Sequence, residues 1–347
     1  MENAYQEQLR IESIKKVREL VAELPEFATD FFRAMKNTKR PATIRSYAYD
    51  LNIFFYFLKN VNPYFKNKDI RSLPVSILDQ LKHSDIEEYL EFLEYYEKDG
   101  KSYTNQEEGK ARKLATLNTF FNYYYKNEII KTNAPARVQP PKIHEKNIIR
   151  LDPNEVSKLI DAVESGEKLN KNQKNWHHKF KSRDLAIITT LLGTGIRVTE
   201  LVGLDLNHID FDNGALKVIR KGGDEDLVYY SPETEEFLID YMDERLCMTP
   251  EEGHENALFI SRNNTRITAR SVERLVKKYA SSITPKHITP HKMRSTYGSF
   301  LYEDTGDIYL VADSLGHKSV EVAKKRYVTT DDKKKRQAAR NIRLRKD

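Results

Sequence analysis

Six side chains in the second half of the chain have the types that phosphodiester chemistry needs. They are Arg197 in "GTGIRVTEL", Lys221 in "VIRKGGD", His291 and Arg294 in "TPHKMRS", His317 in "SLGHKS" and Tyr327 in "KKRYV". Arg197 follows a Gly-x-Gly bend in apolar sequence, where a guanidinium is costly unless it meets an anion. A structural ion pair with Glu200 is the competing reading. Lys221 lies at the mouth of a hairpin turn, a place where a lone lysine is usually ornamental. Pro290 starts a helix, and His291 and Arg294, three residues apart, share a face of it. Tyr327 stands in a run of Lys and Arg, ten residues after His317; nothing local separates a nucleophile from a packing tyrosine. Two arginines, a lysine, two histidines and a phenol, each near a glycine or helix start, together describe a site for a phosphodiester. The planar forks of arginine suit its nonbridging oxygens.

Other chemistries fit less well. The Gly-x-Gly follows a helix, not a strand, and lacks the third glycine of a dinucleotide loop. His287, His291 and His317 could be proposed as metal ligands, but Pro290 takes the first two out of one helical register. No Cys or carboxylate pattern completes such a site. No metal and no cofactor are expected.

The elements that must position these residues fall into two domains, as 347 residues suggest. Residues 1–138 read as a helical bundle. "TIRSYAYDLNIFFYFLKN" carries Tyr47, Leu51, Phe54, Phe55 and Leu58 on one face, with Thr43 as its expected cap. "SDIEEYLEFLEYYEKDG" is expected to start at a Ser84 cap and stop at Gly100. A further stripe runs through Leu114, Leu117, Phe121 and Tyr124, and these aromatic stripes are read as core. Residues 139–150, with Pro140 and Pro141, form an extended linker. Residues 151–330 hold a capped helix at "LDPNEVSKLIDAV", a basic insert, the apolar helix of "SRDLAIITTLLGTG", a small antiparallel sheet around Asp212-Asn213-Gly214 and Gly222-Gly223, and further helices. Residues 331–347 are a basic tail with eight Lys/Arg against three Asp. The fold class is mainly α with a small antiparallel sheet.

Charge points to a polyanion. The 58 Lys and Arg exceed the 52 Asp and Glu by only six, so distribution matters more than size. Candidate phosphate contacts are Lys39, Arg40 and Arg45; Lys110, Arg112 and Lys113; and Lys168, Lys171 and Lys174. One cysteine, Cys247, excludes a disulfide framework. No segment approaches the roughly 20 apolar residues of a membrane span. The N-terminus is charged and lacks an apolar signal core, so a cytoplasmic protein is expected.

"GTGIRVTEL", "RKGG", "HKMR", "LGH" and the downstream tyrosine, in this order, resemble the catalytic domain of the tyrosine recombinases, the phage integrases and Xer proteins. "VIRKGG" and the basic insert look most like the single-protein Xer recombinases. The resemblance covers almost the whole chain and implies a two-domain clamp, a helical core-binding domain and a mixed catalytic domain. It implies that Tyr327 is the nucleophile of a 3′-phosphotyrosyl intermediate, that Arg197, Arg294 and His317 bind the scissile phosphate, and that Lys221 is the general acid. His291 assists proton movement and Glu200 supports Arg197. The implied partners are double-stranded DNA with paired inverted-repeat sites and three further copies of the chain in a tetramer, docked through residues 331–347. The implied role is resolution of chromosome dimers or integration and excision of a mobile element. A noncatalytic DNA-binding protein of the same fold and a type IB topoisomerase are the alternatives. The sequence departs from the family at the interval from His317 to Tyr327, ten residues where nine is common, and at Ser295, where a histidine is common.

Overall fold

The computed structural model describes residues 4–66, 68–144, 148–220, 223–317 and 319–327. Lys221 and the basic segment 331–347, with the docking role expected of it, therefore lie outside the described residues. The chain divides into two compact units, Met1–Lys146 and Asn147–Asp347.

The first unit contains α1 (Ala4–Ala22), α2 (Ala28–Met35), α3 (Pro41–Asn60), α4 (Ile77–Gln80), α5 (His83–Phe92) and α6 (Glu107–Lys126). The expected stripes face inward. Leu51, Phe54, Phe55 and Leu58 of α3 and Leu114, Leu117, Phe121 and Tyr124 of α6 are all buried, while Tyr47 packs at the edge of the cluster. The rings meet mostly edge to face, as Phe54 does with Tyr89 at 5.2 Å and Phe31 with Phe120 at 5.1 Å, the geometry that aromatic quadrupoles favour.

Helix starts differ from expectation by two or three residues. Pro41 begins α3, where its missing N–H costs nothing, so Arg40 takes the cap position and Thr43 falls inside the first turn. Helix α5 starts before Ser84, because the Asp85 carboxylate accepts the Lys82 backbone N–H at 2.7 Å. It ends at Phe92, short of Gly100. The chain then forms an antiparallel hairpin of β1 (Tyr96–Lys98) and β2 (Lys101–Tyr103). Asp99 and Gly100 turn it with φ of 53° and 70°; such a pair of positive φ values suits Asp-Gly.

The second unit contains α7 (Pro153–Ser165), α8 (Lys171–Thr194), α9 (Val198–Val202), β3 (Ile209–Asp210), β4 (Ala215–Ile219), β5 (Glu225–Tyr229), α10 (Pro232–Leu246), α11 (Ala269–Ala280), α12 (Pro290–Thr305), α13 (Ile308–Ser314) and α14 (Val320–Tyr327). Asp152 caps α7 as its sequence predicts, accepting from Glu155 N at 2.9 Å. The basic run is not an insert before the apolar helix. From Lys171 it is the first half of α8, opened by an Asn170 cap. The second half, Leu185 to Leu191, is buried on every side, as a central helix must be. It packs against α7, α10 and α12. Strands β3, β4 and β5 form an antiparallel sheet in sequence order, with Ala215 opposite Tyr229 and Ile219 opposite Glu225. Among the described residues no helix is long and apolar enough to cross a membrane.

Candidate active site

Gly195 ends α8 in the left-handed conformation, φ 62°. A Cβ there would lie 2.4 Å from the Tyr297 ring, so both the backbone and the packing require glycine. Two residues later Arg197 caps α9. Its backbone N–H donates to Glu200 Oε2 at 2.8 Å and its Nη1 to Oε1 at 2.6 Å. The ion pair weighed from sequence is therefore present. Arg197 nevertheless keeps 30% of its side chain exposed while Glu200 keeps 3%. The carboxylate is buried and holds a guanidinium that still faces outward.

Helix α12 starts at Pro290 behind a Thr289 cap. His291, Arg294, Ser295 and Gly298 follow at the spacing of one face. Arg294 is 3% exposed. Its Nη1 donates to the Gly195 carbonyl at 2.7 Å and its Nη2 to the Leu315 carbonyl. Burial first, and then the charge of Arg197, lowers its pKa to about 10, so it remains a cation at neutral pH.

The C-terminal end of α13 gathers three arginines. Arg220 Nη2 donates to the Ser314 carbonyl at 3.1 Å, Arg294 Nη2 to that of Leu315, and Arg197 Nη2 to that of Gly316 at 3.2 Å. Carbonyls at a helix end lack intrahelical partners and carry partial negative charge, so guanidinium groups satisfy them. Each terminal nitrogen has a second N–H. The backbone thus orients the forks without using them up.

The turn that the arginines grip leads directly to His317. Its imidazole stacks on the Tyr327 ring with centroids 6.3 Å apart and planes 10° apart. Tyr327 is 4% exposed, and its ring lies against Gly298, where a Cβ would come 2.7 Å from Cζ. His317 Nδ1 and Tyr327 Oη are buried, and among the described residues neither has a hydrogen-bond partner. Burial, and then the charges of Arg294 and Arg197, lowers the His317 pKa to about 4, so it is neutral at pH 7. Burial raises the Tyr327 phenol above its usual value, while the charges of Arg326 and Arg294 pull it back. His291 is exposed at the surface, and its Nε2 stands 2.6 Å from Arg326 Nη2. A guanidinium has no lone pair to accept with, so Nε2 accepts and the ring is neutral. Crowding of the ring, followed by the charges of Arg326, Arg294 and Arg197, agrees by lowering its pKa.

The structure therefore brings together Arg197, Glu200, His291, Arg294, His317 and Tyr327. Lys221 lies outside the described residues, but Arg220 beside it reaches into the same group. Arg220, Gly298 and Arg326 escaped sequence reasoning. A glycine four residues beyond Arg294, in the middle of a helix, was the one legible signal among them.

The basic candidates separate by environment. Lys39, Arg40, Lys168, Lys171 and Lys174 are exposed and Arg45 is half-buried; Lys168 Nζ donates to the Ser282 carbonyl at 3.2 Å. The "KARK" run is not a free row of cations. Lys110 pairs with Glu94 at 2.7 Å and Arg112 with the buried Asp50. Lys113 is 5% exposed and donates to Asn105 Oδ1 at 2.6 Å, with its pKa lowered by burial. Helix α6 turns it inward, which corrects its expected place on the surface.

A buried tyrosine stacked on a histidine, under guanidinium forks that helix-end carbonyls aim, belongs to the class of DNA strand-cleaving and rejoining enzymes. The phage integrase family model matches residues 149–334, more than half the chain, and the chain belongs to that family, the tyrosine recombinases. The tyrosine recombinase XerC of Caldanaerobacter subterraneus is 31% identical over 321 residues, covering 89% of this chain and 83% of its own. XerS of Streptococcus thermophilus is 28% identical over 337 residues, covering 89% and 93%, in line with the expected Xer likeness. Among solved structures, the Tn1549 transposon integrase in complex with circular intermediate DNA has a TM-score of 0.66 at 22% identity, covering 93% of this chain and 98% of that one. The XerH site-specific recombinase bound to difH has a TM-score of 0.60 at 19% identity, covering 86% and 79%. The fold is shared with both. The activity is site-specific DNA recombination.

Proposed function

We propose that this chain exchanges DNA strands through an ester between Tyr327 and a 3′ phosphate. The observation that carries the assignment is the pair of buried atoms Tyr327 Oη and His317 Nδ1, unpartnered among the described residues, beside Arg197 and Arg294. Burying polar atoms unpaired is costly, and a scissile phosphate seated there offers them partners. Tyr327 Oη forms the bond to phosphorus as the bond to the 5′ oxygen breaks. The phenolic proton passes to His291, once Arg326 releases Nε2, and Lys221 gives a proton to the departing 5′ oxygen. Arg197 and Arg294 bind the nonbridging oxygens and stabilise the charge that grows on them in the transition state. His317 donates to the same phosphate, and Glu200 positions Arg197. In the second half-reaction a 5′ hydroxyl of another duplex attacks the phosphotyrosine, and the phenol leaves. The ester conserves the bond energy, so neither ATP nor metal is required.

Duplex DNA is the substrate. The names of the integrase and XerH complexes record DNA bound to those relatives, which supports this reading. We assign phosphate contacts to Lys39, Arg40 and Arg45 in the first unit and to Lys168, Lys171 and Lys174 in the second. Both units bind the duplex, joined by residues 139–150, and four copies assemble on two duplexes with paired inverted-repeat sites. The deciding experiment is Tyr327→Phe on a nicked suicide substrate. The variant binds DNA and forms no SDS-resistant adduct; an adduct at wild-type yield would remove Tyr327 from its role.

A further inference from the structure

Arg112 belongs to a basic run on α6, but its surroundings differ from those of an ordinary surface cation. Its Nη1 donates to Oδ2 of Asp50 on α3. Asp50 is 2% exposed, whereas the Arg112 side chain is 53% exposed. Thr116, one turn further along α6, donates to the same Oδ2 at 2.8 Å. Asp50 Oδ1 is buried and has no partner among the described residues. A buried carboxylate on one helix thus holds a guanidinium on another, and the guanidinium still reaches the surface. It carries five N–H groups in a planar fork, so the bond to Asp50 leaves others for a ligand. Lys113, the next cation along α6, is buried against Asn105 Oδ1 at 2.6 Å.

Arg112 lines a cavity of about 430 Å³ in the first unit, together with Ser46, Tyr49, Asp50, Tyr103 and Asn105. Tyr49 and Tyr103 are 44% and 41% exposed, so flat apolar faces stand at the same opening as the fork. Tyr49 follows Arg45 by one turn of α3, and Arg45 is assigned a phosphate contact above. A phosphate is served best by an unpaired cation. Here Asp50 already balances Arg112, and its carboxylate would repel an anion brought up to the fork. A guanine edge is uncharged and presents two acceptors, O6 and N7, which match an arginine fork in the major groove. An ion pair with a buried member contributes little to stability on balance. What it fixes is direction, and a fork fixed in advance loses less freedom on binding.

We infer that Arg112, braced by Asp50, is a specificity-determining residue that reads a guanine in the major groove of each half-site. This rests on the duplex substrate proposed above and adds a base contact to the phosphate contacts of Lys39, Arg40 and Arg45. A phosphate contact and a plain tie between α3 and α6 are the competing roles for the same pair. A phosphate contact carries no sequence information and adds to the salt dependence of binding. A tie affects stability alone.

The test starts from the full-length protein and a library of duplexes randomised over about 30 bp, three helical turns at about 10 bp each. Selection with wild type gives the preferred half-site. Gel shifts then measure affinity for that duplex, for versions with each guanine replaced in turn, and for an unrelated duplex, at several salt concentrations. At the guanine that Arg112 reads, wild type should lose about 5- to 150-fold per half-site on replacement, the discrimination of a bidentate arginine. Arg112→Gln should lose that preference at one position, keep the others, and keep the wild-type salt slope. Asp50→Asn has the same size without the charge, and should weaken the preference at the same position. It should also steepen the salt slope on the unrelated duplex by up to about 1, because it releases a cation. Asp50→Asn carries the test if Arg112→Gln, which strips Asp50 of its cation, fails to fold. Retention of every guanine preference by either folded variant overturns the inference, and a lower melting temperature beside it would leave the pair as a tie. Uniform weakening of Arg112→Gln on all duplexes, with a slope shallower by about 1, marks a phosphate contact and overturns it too. If wild type binds no duplex, the proposed substrate falls and the inference with it. If wild type selects a sequence to which Arg112 and Asp50 are indifferent, only the inference falls.

Discussion

Gly298→Ala tests whether the buried position of Tyr327 is the position from which it reacts. The added Cβ would lie 2.7 Å from Tyr327 Cζ, 2.8 Å from Cε1 and 2.9 Å from Leu315 Cδ1. Carbon atoms rest at about 3.5–4.0 Å, so the ring must retreat by about 0.8 Å. Alanine in a helix interior gains about 1 kcal/mol over glycine, and overpacking costs about 1–3 kcal/mol. The net change is at most about 2 kcal/mol, within the usual stability margin of about 5–15 kcal/mol. The fold and DNA affinity should therefore persist. Displacing a reacting group by nearly an ångström costs about 10²-fold in rate, because attack requires alignment with the phosphorus. The assay is single-turnover formation of the covalent adduct on a nicked duplex, with binding followed separately by gel shift. A variant that binds normally and cleaves at the wild-type rate would show that Tyr327 leaves the Gly298 surface before it attacks, and the reasoning from this geometry would fail.

Two further outcomes follow from charge. The folded state holds His317 at about 4, below its ordinary 6.5, so the unfolded chain binds the proton first as pH falls. Stability is then full above about 6.5 and declines toward 4; His317→Gln should shallow that decline in urea midpoints measured at pH 7 and pH 5. The slope will not vanish, because His177, His208 and His291 are also lowered, and an unchanged slope would count against burial of His317. Reversing Lys168, Lys171 and Lys174 to Glu should reduce the slope of log K against log salt by about 2 to 3, whereas Lys113→Met should leave it unaltered; the opposite result would exchange the two surfaces.

Residue type and order were enough to select the chemistry, because phosphate contact and phenolic attack each demand particular side chains and those side chains occur in a fixed sequence of motifs. Arg197, Glu200, His291, Arg294, His317 and Tyr327 could all be nominated before any geometry was known. Apolar spacing likewise announced the helices around Phe54 and Phe121, since one face of a helix recurs every three or four residues. Boundaries were less legible. Thr43 and Ser84 look like caps, but Pro41 and the Asp85 carboxylate start those helices sooner, and a local alphabet does not rank competing starts.

Only the tertiary structure decided which cations are available. Lys113 and Lys110 belong to one basic run in the sequence and to different environments in the fold, because the rotation of α6 sends one inward and leaves the other beside Glu94. Arg220 reads as one more residue of a basic turn, and its bonds to Glu200, Asp226 and Ser314 form only when the β4–β5 pair, α9 and α13 pack. The place of Tyr327 is of the same kind. A tyrosine at 327 follows from the sequence, but a phenol laid on Gly298 and stacked on His317 requires α12, the turn after α13 and α14 to converge. Contacts so distant along the chain are set by packing, which no local pattern of residues encodes.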